Sequence, residues 1–600
     1  MKTIHFAQLP SQKARKRGKH RVLFYRDNSL GRWSGMTWNE LNERIELTAA
    51  AMVAHGIEPH TNIGICSANK PHCIIVDFAN AANRAVSVPM HATMSAEQMS
   101  YIINETDTPL LFVGDQQQYD KACQVMHTTP CLKQIVAFDS SVDLHGESNA
   151  THFADFMETG RNAAARKTAA RRRKQADDND LAIILYTSGT TGEPKGVMIR
   201  HRQLMESMRM NARRFPTITR KDNAVSFLPL SHIFERIFVY LLLHVDAKIY
   251  LNEHPADIQQ TMREVRPTLM CNVPRYWEKV AIAANQYFDN CSAFKKGIAA
   301  WALAVGRDYN LEHLRRQRKP PVGLRIRYKI ADLCVFGKLK KRVGIENGRL
   351  FPVAGAAASE RLIVLFRSMG IPLFYGYGLT ETCATVSVYD YQGYKVGSVG
   401  SIVDGIEVKI GDDNEILVRG NTVTEGYYKK PDATQSAFDK DGWFRTGDMG
   451  RLDGQHLYMT DRLKDLFKTS NGKYIAPQQI ETRLDSDSLF EQVAVIGDKR
   501  NFVTAIIAPN IDTLTDFAQK RHITYSRIEE LLENTEVTTF VAQRIATLQA
   551  DMAEYEKIKR FRLIKNGFSI ESGEITTTLK LRRAVIQQHY RQLIDDMYTT

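Results

Sequence analysis

Tyr186-Thr-Ser-Gly-Thr-Thr-Gly-Glu-Pro-Lys-Gly196 is the stretch that decides the fold. Leu181-Ala-Ile-Ile-Leu185 ahead of it is a short apolar run that predicts a buried strand, and Val197-Met-Ile-Arg-His201 behind it predicts another. Between them stand Gly189, Gly192 and Gly196, the hydroxyls of Thr187, Ser188, Thr190 and Thr191, and Lys195. Without Cβ atoms in the way, the N–H groups of such a turn can crowd around an anion. The hydroxyls add donors, and Lys195 adds a mobile positive charge. The stretch reads as a polyphosphate grip, with a plain turn-rich hairpin as the alternative. It is not the usual nucleotide P-loop, because Glu193-Pro194 delays the lysine by two residues.

Working outward, strands and helices alternate. Strands are predicted at Asn62-Ile-Gly-Ile-Cys66, Ala85-Val-Ser-Val88 and Pro109-Leu-Leu-Phe-Val113. Helical spacing runs from Leu41 to His55, and Ser95 is an N-cap for a helix over 96–104. This alternation predicts a parallel α/β sheet. Residues 161–180 are Ala/Arg/Lys-rich and read as a solvated helix or linker, while 278–343 read as a long, basic, largely helical stretch. From 397 to 458 short strands separated by turn signals predict a small β-barrel or distorted sheet. A last α/β unit begins near Lys464.

A chain of 600 residues exceeds one core, and 43% apolar with 24% charged residues is ordinary for a globular protein. Eight cysteines lie scattered without a C-x-x-C pair, which argues for reduced thiols in the cytoplasm and against a disulfide framework or zinc site. No signal peptide is visible, and the most apolar run, Ile237 to Leu243, is far too short to span a bilayer. The net charge of +13 is concentrated in runs such as Lys13–Arg21, Arg171–Lys174 and Lys338–Arg342. These read as solvated faces or as peripheral contacts with the inner face of a membrane; nucleic acid is not the expected partner.

Thr187 to Gly196 resembles the phosphate loop of the acyl-adenylate-forming (AMP-binding) enzymes. Four further segments resemble that family's motifs in its order. Tyr375-Gly-Tyr-Gly-Leu-Thr-Glu-Thr382 is similar to the segment that walls the adenine site. The resemblance implies that Tyr377, with Tyr375 and Gly376, flanks adenine, that Thr380 meets the α-phosphate and that Glu381 holds Mg²⁺. Ala354-Gly-Ala-Ala-Ala-Ser359 resembles the small-residue turn that edges the purine, through Gly355 and Ala356, although the usual proline is missing. Gly442-Trp-Phe-Arg-Thr-Gly-Asp-Met449 implies that Asp448 takes the ribose hydroxyls. Thr460-Asp-Arg-Leu-Lys-Asp-Leu466 puts Arg462 at the ribose or α-phosphate and Lys464 at the hinge.

Lys468-Thr-Ser-Asn-Gly472 resembles the loop that swings in for CoA. Gly573-Glu-Ile-Thr-Thr-Thr-Leu-Lys580 resembles the loop carrying the catalytic lysine, with Thr577 in the place of a proline. His232, in Leu228-Pro-Leu-Ser-His232, lies where the family has a residue between acyl tunnel and nucleotide. The implied fold is α/β: an N-terminal AMP-binding domain, 1–463, of two α/β sheet subdomains plus a small β-barrel, and a small mobile α+β C-terminal domain, 464–600. The implied activity uses ATP, Mg²⁺ and coenzyme A to convert a carboxylic acid through acyl-AMP into a thioester, with Lys195, Thr380, Glu381 and Lys580 catalytic. Phrases within 278–343 resemble long-chain fatty acid–CoA ligases, so a long-chain fatty acid is the expected substrate. A ligase that loads an acyl carrier protein and a non-catalytic lipid-binding relative are the alternatives.

Overall fold

A computed structural model describes residues 5–599 except 28–30, 188–192, 290, 464–465, 472, 486, 570 and 577–580. Ser188, Gly189, Thr190, Thr191, Gly192, Lys464, Gly472 and Lys580 therefore lie outside the described residues.

The first sheet has seven strands in the order Ala150–His152, Gln134–Ala137, Leu110–Val113, Asn62–Cys66, Val86–Met90, Leu181–Thr187, Lys195–Arg200. All neighbours are parallel except the last pair, an antiparallel edge hairpin in which Thr187 faces Lys195. The decisive stretch thus closes a hairpin on a parallel sheet. Ser95 caps its helix as expected, in a capping box with Gln98.

The second sheet orders Asn223–Ser226, Lys248–Leu251, Arg21–Asp27 and Arg32–Thr37. Single parallel bridges, Ala224 to Leu269, Leu269 to Leu350 and Asn272 to Val353, connect it to Phe351–Val353. That strand opens an eight-stranded sheet continuing through Leu373–Tyr377, Ser387–Val388, Ser401–Ile402, His456–Arg462, Phe444–Asp453, Glu415–Gly420 and Ile406–Ile410. The expected small barrel is therefore not resolved as a closed unit. Leu373–Tyr377 pairs parallel on one side and antiparallel on the other, so the α/β part runs directly into the short strands.

The expected solvated helix is Ala163–Lys174, and it packs on the helix Trp38–Ala54. Ala165, Ala169 and Arg172 are buried, and Arg172 donates to the Ile57 carbonyl at 2.5 Å. Its small residues let the helix approach closely, while its arginines lay their stems along the protein.

The large core holds residues from Phe6 to Leu457. Separate clusters, from Phe467 to Ile558 and from Ala494 to Met597, pack around the three-stranded sheet Phe490–Ile496, Val503–Pro509, Ile558–Leu563. The 278–343 stretch is helical as expected, in Pro274–Asp289, Ala293–Arg307, Val322–Ala331 and Gly337–Val343 with helical turns between. All eight cysteines are free thiols. Among the described residues no helix is long and apolar enough to cross a membrane.

Candidate active site

One cavity of about 730 Å³ lies where the edge hairpin, the strand Leu373–Tyr377 and the ribbon Phe444–Asp453/His456–Arg462 meet. Thr187, Lys195, Gly355, Ala356, Tyr375, Gly376, Tyr377, Thr380, Glu381, Asp448, Arg462 and His232 all line it. Residues read from segments up to 275 positions apart in sequence are thus brought to one space. Lys468 is not: it is exposed, and its ammonium lies over the Tyr474 ring at 5.3 Å.

Local backbone explains the placement of the charged groups. Gly355 has φ +90, a conformation that L side chains rarely adopt. The turn it opens is braced by Tyr375, whose hydroxyl accepts from the Ala358 N–H at 3.0 Å. At Gly378 a Cβ would lie 1.4 Å from the Ala384 carbonyl oxygen, so only glycine lets the chain fold back and aim Thr380 and Glu381 into the cavity. Asp448 and Arg462 face each other across neighbouring strands. The Arg462 Nε lies 2.9 Å from Asp448 Oδ1, and the Tyr377 hydroxyl donates to Asp448 Oδ2 at 2.7 Å. An ionised carboxylate has about four lone-pair sites, so this one keeps acceptor capacity.

Glu381 is lifted above the usual carboxylate range by burial, while the Tyr427 hydrogen bond and the Arg462 charge pull the other way. Tyr427 was not read from the sequence, yet it links two assigned groups. It donates to Glu381 Oε1 at 3.0 Å, and the Lys195 ammonium stands 5.0 Å from its ring centroid. Burial raises its own hydroxyl, so it remains a donor. The available signal was the aromatic pair Gly426-Tyr427-Tyr428, whose backbone bridges to the hairpin at Val197. Glu415 was also missed; it accepts from the Gly447 N–H at 3.0 Å and braces the turn before Asp448.

His232 caps the helix Ile233–Val245, its Nδ1 accepting from the Phe234 N–H at 3.3 Å. One face of that helix, Ile233, Ile237 and Leu241 with Phe238, forms an apolar wall of the cavity. The flank beside it is anchored, with Arg236 Nη1 2.5 Å from Asp77 Oδ2 and the Tyr240 hydroxyl donating to the same oxygen at 2.7 Å. No residue between 272 and 351 lines the cavity, so the helical stretch 278–343 is not its wall. Gln478, from the helix Pro477–Asp485, does line it. The described residues of 571–583 do not.

A lysine held over an aromatic ring, a buried acid beside it, and an Arg-braced carboxylate one strand pair away make a site for a nucleotide next to an apolar substrate. The chain belongs to the AMP-binding enzyme family: residues 11–428 match that family and residues 464–600 match the AMP-binding enzyme C-terminal domain. It is similar to long-chain-fatty-acid–CoA ligase FadD15 of Mycobacterium bovis, 29% identical across 95% of this chain and 93% of that protein. It is similar to long-chain-fatty-acid–CoA ligase ACSBG2 of Mus musculus, 28% identical across 94% of this chain and 89% of that one. Among solved structures it shares the fold of the adenylation domain of a Mycobacterium chelonae carboxylate reductase, with TM-score 0.74, 20% identity and coverage of 100% and 92%. An anthranilate CoA ligase, AuaEII, has TM-score 0.71 at 17% identity, with coverage of 99% and 98%.

Proposed function

We propose that this chain joins a long-chain fatty acid to coenzyme A at the expense of ATP, through an acyl-AMP intermediate, releasing AMP and pyrophosphate. The observation that carries the reading is the single cavity in which Lys195, Glu381, Asp448 and Arg462 share walls with the apolar face Ile233, Ile237 and Leu241. The acid's carboxylate attacks the α-phosphorus and pyrophosphate leaves; the CoA thiolate then attacks the acyl carbon and AMP leaves. Two anions must meet in the first step, so positioning and charge neutralisation supply most of the catalysis.

In this reading Lys195, with the hairpin residues Thr187 to Gly192, faces the leaving phosphates. Tyr377 offers its ring to adenine, Gly355 and Ala356 edge the purine, Asp448 takes the ribose hydroxyls, and Thr380 and Arg462 meet the α-phosphate. Among the described residues no cluster of three His, Cys, Asp or Glu could hold a metal. Glu381 would hold Mg²⁺ as one hard oxygen ligand, and the ion would supply charge neutralisation at the phosphates. Lys580 bridges the attacking carboxylate and the α-phosphate.

The division into 1–463 and 464–600, hinged at Lys464, lets one site serve both steps. Here the C-terminal unit presents Gln478 to the cavity, and the Gln479 Nε2 donates to the Thr460 carbonyl at 2.7 Å. Arg583, three residues after Lys580, is held by Glu481 at 2.5 Å. We read this arrangement as the thioester-forming one, with the Lys468–Gly472 loop toward CoA. The eight free thiols suit a reducing, cytoplasmic setting.

The test is pyrophosphate release dependent on both ATP and fatty acid, followed over an acyl-length series with CoA as acceptor. Release and acyl-CoA should be greatest with long chains. A maximum below about eight carbons, or thioester formed only on a phosphopantetheinylated carrier, would overturn the reading, since each buried CH₂ is worth about 0.8 kcal/mol.

A further inference from the structure

The helical stretch 278–343 takes no part in the cavity, yet it carries most of the exposed large apolar side chains among the described residues. Of the ten exposed large apolar side chains among the described residues, six lie between 294 and 333. They are Phe294 and Trp301 on Ala293–Arg307, Val322, Ile326 and Ile330 on Val322–Ala331, and Leu333 in the turn that follows. The two helices pack against each other.

The spacing is ordered. Val322, Ile326, Ile330 and Leu333 recur at i, i+4, i+8 and i+11, one stripe of a helix. The opposite face is already used: Leu324 and Ala331 are buried, and Tyr328 stacks on Tyr309 with ring centroids 4.1 Å apart. The stripe is therefore not a core face turned outward by chance; Val322 is 69% and Leu333 77% exposed. Arg325 and Lys329 flank it on one side and Arg327 on the other, all exposed. None of the three forms an ion pair with a described carboxylate. From 315 to 331 the chain holds seven Lys or Arg and no Asp or Glu. Lys295 and Lys296 stand exposed beside Phe294.

We propose that this face is a docking site for an anionic lipid bilayer surface, with the helix Val322–Ala331 lying in the plane of the interface. A helix that buries an apolar stripe at the headgroup level and holds cations along both edges satisfies lipid tails and acidic headgroups together. A second copy of the chain is the poorer occupant. A two-fold contact would lay this patch on itself and oppose Arg325, Arg327 and Lys329 with the same three cations of the other copy. Nucleic acid would be met by the cations but not by a central Val/Ile/Leu stripe. The inference does not depend on the chemistry assigned to the cavity.

Co-sedimentation with phosphatidylcholine vesicles containing about one third phosphatidylglycerol tests it, against vesicles of phosphatidylcholine alone. The protein should sediment with the anionic vesicles, at least about ten-fold less with neutral ones, and progressively less as salt is raised. Two variants separate the components: Ile326→Ser/Ile330→Ser/Leu333→Ser and Arg325→Glu/Lys329→Glu. Both change exposed side chains, so both should keep the wild-type Tm and circular dichroism while vesicle affinity falls about ten-fold or more. Wild-type protein that ignores anionic vesicles overturns the proposal, as does undiminished binding by both folded variants. Light scattering supplies the remaining arm: a dimer that the triple serine variant converts to monomer, with vesicle binding unchanged, would assign the face to self-association.

Discussion

Tyr427 and Glu235 show how much a single buried polar group decides. Tyr427 spans the gap between Glu381 and Lys195 without being an expected ligand of anything. Tyr427→Phe keeps the ring under the lysine but removes a donor that favours the ionised form of Glu381 against burial. Pyrophosphate exchange should fall about ten-fold, with a higher Mg²⁺ requirement and an unchanged Tm; exchange at the wild-type rate would remove Tyr427 from the site. Glu235 is fully buried in the first turn of Ile233–Val245, and among the described residues neither carboxylate oxygen has a hydrogen-bond partner. Burial pushes its carboxyl up to about 8. The folded state therefore keeps the proton longer than the unfolded chain does. Its contribution to stability is unpenalised below the ordinary carboxylate value and is lost as pH rises toward 8. Glu235→Gln carries no ionisable group, so its Tm should match wild type near pH 5 and exceed it near pH 8, by a free energy of about 3 to 5 kcal/mol. Parallel Tm curves across that range would contradict this. Neither residue was legible beforehand, because a partner from a distant segment, or the lack of one, has no signature in local sequence.

At the scale of elements, what was legible follows from what is local. The hairpin Leu181–Thr187/Lys195–Arg200 and the parallel strands before it were readable because apolar runs, glycines and caps act within a few residues. The barrel was not, because whether Ser387–Val388 closes a ring or joins Leu373–Tyr377 depends on pairing between separated segments. The surface that 278–343 covers was not readable for a similar reason: helical content is local, but which surface a helix covers is not. The apolar wall of the cavity comes instead from the face Ile233, Ile237 and Leu241. Successive turns of that face stand about 5.4 Å apart, so they act as depth marks along it. Ile237→Trp should fill the cavity at the middle mark and displace roughly four methylenes of a long chain. At about 0.8 kcal/mol each, kcat/KM for the longest acids should fall about two hundred-fold while short acids are spared. The acyl-length series reads this directly, and an equal loss for all lengths would mean that the helix does not face the chain.

On the proposed function the whole molecule must solve a problem that no element solves alone, since Lys580 and the Lys468–Gly472 loop would serve different steps at one cavity. The two units meet through polar contacts, as the proposed hinge would need. Arg275, in the first turn of Pro274–Asp289, donates to the Glu491 carbonyl at 2.8 Å and lies 3.3 Å from Asp485 Oδ2. Burial pushes Asp485 up to about 7, with Glu278 and Glu481 adding to the rise and Arg275 opposing it. The arrangement seen here therefore favours the protonated Asp485 carboxyl, and the Arg275 guanidinium is a cation that faces it once it ionises. Arg275→Glu replaces the cation facing Asp485 with a fourth carboxylate. Thioester formation from supplied acyl-AMP and CoA should fall at least about ten-fold, a change of about 1.4 kcal/mol, while ATP–pyrophosphate exchange is maintained. Lys580→Ala should do the reverse, abolishing exchange and largely sparing the thioester step. The two variants together form a crossed pattern that a general loss of stability cannot produce. Equal losses in both half-reactions from Arg275→Glu, at an unchanged Tm, would mean that the contact seen between the units is not the thioester-forming one.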